Sequence, residues 1–250
     1  MRKIIIICIC LSLLACASAK EKENTFKKAD INLRLGVKYL QQGKLDVALE
    51  KMQKSLSYKP NYPEAHSSIA IVYDLMGEYE KSIDHYEKAL ELEPNSGIIQ
   101  NNYAELLCRT GKPLDAEKHF LAAINNRKYK TPEKALENLG VCMTRVPDMD
   151  KAEKYLRKAL QLNPRLPIAL LNMALVSMNN KNYLSGRAYL ERFQEVGEMN
   201  PESLWLGIQI EKQLGDMKAV SNYENLLRRK FPDSSETRLL LEQTTGNKAK

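Results

Sequence analysis

Residues 63–96 read PEAHSSIAIVYDLMGEYEKSIDHYEKALELEPNS, and the fold of the whole chain turns on this stretch. Ile69, Ala70 and Tyr73 fall on one face of a first helix, and Ser82, Tyr86 and Ala89 on one face of a second. Gly77 lies in the turn between them and Pro94 closes the unit. Small residues at the crossing let the two helices approach closely, while the aromatics fill the space beside it. A single helical pair of this kind cannot bury its apolar faces alone, so the pattern has to recur along the chain.

It recurs at a period of about 34 residues. In 29–62, Leu35, Gly36 and Tyr39 match the first helix, and Ala48, Met52 and Pro60 match the second helix and the closing proline. In 97–130 the matching residues are Tyr103, Ala104, Leu107, Ala116, Phe120 and Ala123, with Lys128 where the proline would stand. Thr131 and Pro132 are inserted before 133–166, which supplies Leu139, Gly140, Met143, Ala152, Leu156, Ala159 and Pro164. In 167–199, Met173, Ala174, Gly186 and Leu190 fit, but Phe193 replaces a small residue. Leu206, Gly207, Ile210, Ala219 and Tyr223 carry 200–233, with Pro232 one place late. Ser234 or Ser235 is placed to cap a short last helix within 235–250, whose end is expected to be a disordered tail. The expected fold is all-α: six helix-turn-helix tetratricopeptide repeats (TPRs) over 29–234, about thirteen helices wound into an α-solenoid superhelix with an extended concave face.

The N-terminus departs from this pattern. MRK followed by the apolar run Ile4 to Leu14 has the form of a secretory signal, residues 1–15, and is too short to span a membrane. Leu13-Leu14-Ala15-Cys16 resembles a lipobox, which makes Cys16 the acylated first residue of the mature chain and points to the outer membrane, on its periplasmic face. The alternative is cleavage after Ala19, giving a soluble periplasmic protein. Residues 16–28, ending in the charged KEKENTFKK, are expected to be a flexible tether. An export route permits a disulfide between Cys108 and Cys142. Their places in neighbouring repeats, twelfth and tenth, set the side chains about 160° apart on a helical wheel, which favours two small buried or groove-lining thiols.

No catalytic constellation is visible: there is no phosphate-binding glycine loop, no GxSxG elbow, no HExxH and no CxxC pair. His85 and His119 share one position of adjacent repeats but lack a third ligand, so solvated histidines rather than a metal site are expected. The net charge of +7 is spread along the chain. The clusters Arg127 to Lys130 and Arg228 to Lys230 are short and lack a stacking platform, which argues against nucleic acid. The sequence thus gives no reason to expect a cofactor or a small-molecule substrate. Function is expected on the concave face, through Leu33, Val37, Leu40, Ile71, Leu75, Asn101, Glu105, Leu171 and Leu175. Leu33 and Val37 stand where a carboxylate clamp would need lysine and asparagine, so a hydrophobic or extended peptide fits better.

Asn101-Asn102-Tyr103, Leu136 to Gly140 (LENLG), Gly186-Arg187-Ala188-Tyr189-Leu190 and Ser203 to Ile208 (SLWLGI) occur in an order that resembles the PilF/PilW pilotins, the lipoproteins of type IV pilus biogenesis. The resemblance covers essentially all of the mature chain. It implies a non-enzymatic lipoprotein that binds subunits of the pilus secretin and promotes their outer-membrane localisation and multimerisation. Another TPR lipoprotein scaffold of the cell envelope, serving outer-membrane protein assembly or peptidoglycan enzymes, is the alternative.

Overall fold

The computed structural model describes residues 2–146 and 149–246, and side chains from residue 21 onward except 22, 147–148 and 244–246. Thirteen α-helices and no strand form among the described residues. By repeat of the sequence, the first three hold α1 (Arg2–Gln41) and α2 (Leu45–Tyr58), α3 (Pro63–Leu75) and α4 (Tyr79–Leu92), and α5 (Gly97–Arg109) and α6 (Pro113–Asn125). The next three are α7 (Pro132–Met143) with α8 (Met149–Leu162), α9 (Pro167–Asn179) with α10 (Tyr183–Gln194), and α11 (Pro201–Leu214) with α12 (Met217–Lys230); α13 (Ser235–Gly246) closes the chain. The helices gather into two compact units, residues 1–110 and 111–250, so the division falls between the two helices of the third repeat.

Proline starts α3, α6, α7, α9 and α11, where its fixed φ suits a helix and its missing N–H costs nothing. In the first unit, small residues set the distance between partner helices. A Cβ added to Gly36 would stand 2.6 Å from Met52 Cγ and 3.0 Å from the Ala48 carbonyl oxygen. Ser82, fully buried, gives its hydroxyl to the Ala70 carbonyl at 2.7 Å, and Ser55 does the same for Ala29. Each hydroxyl is thus satisfied at a position where other repeats use alanine, which removes the cost of burying it. Tyr86 stacks on Tyr103 with ring centres 5.5 Å apart.

In the second unit, Gly140 lies against Leu156 and Gly207 against the Tyr223 ring in the same manner. Phe193, the misfit of the fifth repeat, is buried, and its ring lies where a side chain at Gly197 would otherwise stand. Asn200 and Ser203 form a reciprocal capping box at the start of α11. Ser234 is the residue that caps α13, its hydroxyl accepting the Thr237 N–H at 3.1 Å.

The expected tether is different in the structure. Residues 21–28 continue α1 as helix rather than as loose chain. Lys27 pairs with Glu23 one turn earlier at 2.6 Å. The Phe26 ring lies 6.1 Å from the Tyr62 ring, with the Lys59 ammonium 4.4 Å and 3.8 Å from the two ring centres. A high charge content reads as disorder, but spaced at i,i+4 on a helix already nucleated by Ala29 and Leu33 the same charges support the helix. Cys16 lies outside the residues whose side chains are described. Among the described residues no helix is long and apolar enough to cross a membrane.

Candidate functional site

In the first unit the predicted binding residues separate by depth. Leu33 is only 7% exposed and belongs to the core formed with Ala48, Met52, Tyr62 and Ile69. Val37 and Leu40 are half-buried and pack on that core. The expectation that the first repeat presents an apolar groove wall through Leu33 is therefore corrected: α1 packs on both α2 and α3, which covers this face. Ile71 is half-buried, while Leu75, at the end of α3, is 59% exposed and keeps the role of an apolar surface residue.

Polar groups lie on α3 and α5 beside it. Arg109 forms an ion pair with Asp74. Asn101 is buried and donates through Nδ2 to Glu105 Oε1 at 2.6 Å, while its own Oδ1 finds no acceptor role among the described residues. Burial, reinforced by Asp74 and Glu105, pushes the Tyr86 phenol well above its ordinary range, so it stays protonated.

The second repeat also holds an unexpected pair. His66 Nδ1 and His85 Nδ1 are 3.1 Å apart, and His66 Nε2 lies 3.0 Å from the Pro60 carbonyl oxygen. The carbonyl can only accept, so Nε2 of His66 carries a proton, and in the neutral pair His85 then donates through Nδ1. His85 is half-buried against Tyr73 rather than solvated, which corrects the expectation for it; its partner is on the first helix of its own repeat. Among the described residues no group of three or more His, Cys, Asp or Glu is arranged to hold a metal ion.

In the second unit Leu171 and Leu175 are half-buried along α9. One turn further, Met178 enters a cavity of about 410 Å³ that also takes in Tyr183, Trp205 and Gln243, with Lys181 and Lys212 among its lining residues. Lys181 has a left-handed backbone, φ 58°, at the turn position where Gly43, Gly77 and Gly111 have φ 72°, 79° and 81°. For a residue with a Cβ this conformation costs about 1–3 kcal/mol. Pattern matching missed this site because it scored helix positions; the signals were a lysine in a glycine slot and the single tryptophan of the chain.

Other charges of the second unit are structural. Glu137 is 1% exposed and accepts from the Ala169 backbone N–H and from Lys134. Arg187 forks onto the buried Glu211. Glu117 accepts from Lys151 at 2.8 Å and from the Tyr155 hydroxyl at 2.7 Å. Burial works against its charge, but those two bonds outweigh it and hold the carboxyl below its ordinary value; Tyr155 is pushed up to about 12 by burial and by Glu117.

Cys108 and Cys142 are both disulfide-bonded, so the expected pair of buried free thiols is corrected. A 160° separation holds only for two repeats that are identical copies. Pro132, inserted between them, starts α7 itself, and each cysteine sits in the last turn of its helix.

Tetratricopeptide repeat models match residues 63–96, 85–118 and 102–167. With thirteen helices and no strand among the described residues, these matches define a TPR protein of the all-α solenoid class. The type IV pilus assembly protein PilF of Pseudomonas aeruginosa is 30% identical over 207 residues, 83% of this chain and 82% of that protein. The solved structure of P. aeruginosa PilF superposes with a TM-score of 0.80 at 28% identity, covering 88% of this chain and 99% of that one. The crystal structure of PilW, a type IV pilus biogenesis factor, gives 0.80 at 28% over 85% and 98%. The chain belongs to this PilF/PilW family of type IV pilus biogenesis TPR proteins.

Proposed function

We propose that this protein is a non-enzymatic outer-membrane lipoprotein, anchored through Cys16, that binds subunits of the type IV pilus secretin and promotes their localisation and multimerisation. The observation that carries the proposal is the family relationship over most of both chains, to a protein named for type IV pilus assembly. The arrangement suits a scaffold: helices expose side chains such as Leu75 for contact, and the polar groups around them are engaged with one another rather than organised around a reacting centre. An acylated Cys16 would confine the bound subunit to the membrane surface and raise its local concentration there, which favours ring assembly without any new contact. A single acyl chain holds a protein only marginally, so durable tethering needs the several chains of a bacterial lipoprotein.

The test is to delete the gene and measure heat-resistant secretin multimer in the envelope. Loss of multimer with monomer retained is expected; an unchanged multimer level would overturn the proposal. Replacing Cys16 by alanine should abolish labelling by a fatty-acid probe, and persistent labelling would refute the anchor.

A further inference from the structure

We propose that the cavity of the last two repeats is a second recognition site, which takes an extended acidic peptide segment carrying one large apolar side chain. Three observations converge. Met178, Tyr183 and Trp205 are all half-buried, so each still offers apolar surface to the 410 Å³ space. That is room for a leucine-sized side chain and its backbone neighbours. Apart from Ile208, the remaining lining is amide and cationic, with Lys181 and Lys212 among it and no carboxylate. Lys212 leans toward Glu224 at 3.7 Å, whereas Lys181 has no ion pair among the described residues.

The third observation is the backbone of Lys181. The chain uses glycine for this turn at 43, 77 and 111, where no strain arises, yet places a lysine with φ 58° here. A strained conformation kept against an available strain-free residue marks a side chain retained for what it does rather than for the fold. An ammonium lining a cavity that also offers apolar surface selects a carboxylate beside an apolar anchor. By that charge complementarity the occupant is an acidic segment of a partner protein. The inference rests on the chain being a protein-binding scaffold, and not on the partner being a secretin.

Trp205 is the only tryptophan, so its emission reports this cavity directly. The full chain is titrated with three synthetic decapeptides free of tryptophan and tyrosine: a central leucine flanked by aspartates, the same leucine flanked by lysines, and an alanine flanked by aspartates. The first is expected to shift Trp205 emission to the blue with saturation, and the other two to bind at least tenfold more weakly. Lys181→Gly and Lys181→Asn, which relieve the backbone, should raise the urea midpoint while weakening the first peptide at least fivefold. Equal responses to acidic and basic peptides, no saturable response, or unchanged affinity in both Lys181 variants would overturn the proposal. The readout contains no secretin, so failure here and failure of the multimer assay are separate results.

Discussion

The Glu137 carboxylate, on the first helix of the fourth repeat, accepts the backbone N–H of Ala169 at 2.9 Å in the opening turn of the next repeat's first helix. A helix start leaves its first N–H groups without intrahelical partners, and an anion there also meets the positive end of the helix dipole. One buried side chain thereby joins α7 to α9, and the LENLG segment has a structural reason for its glutamate.

Removing that acceptor should be expensive. Glu137→Ala orphans a buried N–H and leaves Lys134 without its partner, a loss of about 2–3 kcal/mol. Glu137→Gln keeps an acceptor oxygen and should recover at least half of this. Urea midpoints of the two variants measure the difference; equal midpoints would show that the bond contributes nothing.

Gly140 should tolerate a methyl group less well than Gly36. At Gly140 an added Cβ would stand 2.5 Å from Leu156 Cγ and 3.0 Å from the Leu156 backbone nitrogen. At Gly36 a backbone atom, the Ala48 carbonyl oxygen, stands equally close at 3.0 Å, but the crowding side chain is Met52, which is unbranched and yields more readily than Leu156. Gly140→Ala is expected to lose about 1–3 kcal/mol to overpacking. Gly36→Ala should be nearer neutral, since relief of glycine's backbone entropy offsets part of the crowding. Thermal unfolding by circular dichroism ranks the two, and the reverse order would contradict the packing described above.

The histidine pair makes stability depend on pH. Burial, followed by the neighbouring His66, holds the His85 imidazole below its ordinary value, with Asp84 pulling weakly the other way. A base depressed in this manner binds fewer protons folded than unfolded, so stability falls as pH drops through the ordinary histidine value of about 6.5 and levels off below the folded value. His85→Gln should flatten the denaturation midpoint between about pH 7 and 5. An unchanged slope in that variant would assign the pH dependence to other groups.

Depth decides which apolar substitutions bear on binding. Leu33→Asp buries a charge in the core of the first unit and should cost more than about 3 kcal/mol, so lost binding in that variant would say nothing about contact. Leu75→Asp, at an exposed position, should change stability by no more than about 0.5 kcal/mol and still weaken secretin capture several-fold. Surface-immobilised secretin subunits titrated with both variants make the comparison; full affinity in Leu75→Asp would move the contact elsewhere.

The repeats were legible because their information is local and repeated: Gly36, Ala70, Gly140, Ala174 and Gly207 all occupy one position, opposite one large residue. The candidate site was less legible because exposure depends on what lies across a helix. Leu33 and Leu75 read alike as apolar first-helix residues, but α3 covers the first and nothing covers the second. His85 shares a repeat position with His119, whereas its partner, His66, is on the facing helix of its own repeat. Lys181 and Trp205 carry no periodic signal, and their meaning appears only when a turn and four helices border the same space.

Phe26, which shares the Lys59 ammonium with Tyr62, changes the reach of the chain ahead of the first repeat. Eight residues of loose chain from 21 to 28 could extend about 27 Å in any direction, but wound into α1 they advance about 12 Å along one axis. A membrane anchor placed before them would act through a short lever rather than a leash. It would fix the height and the facing of the first repeat above the bilayer, and a captured subunit would arrive there already oriented.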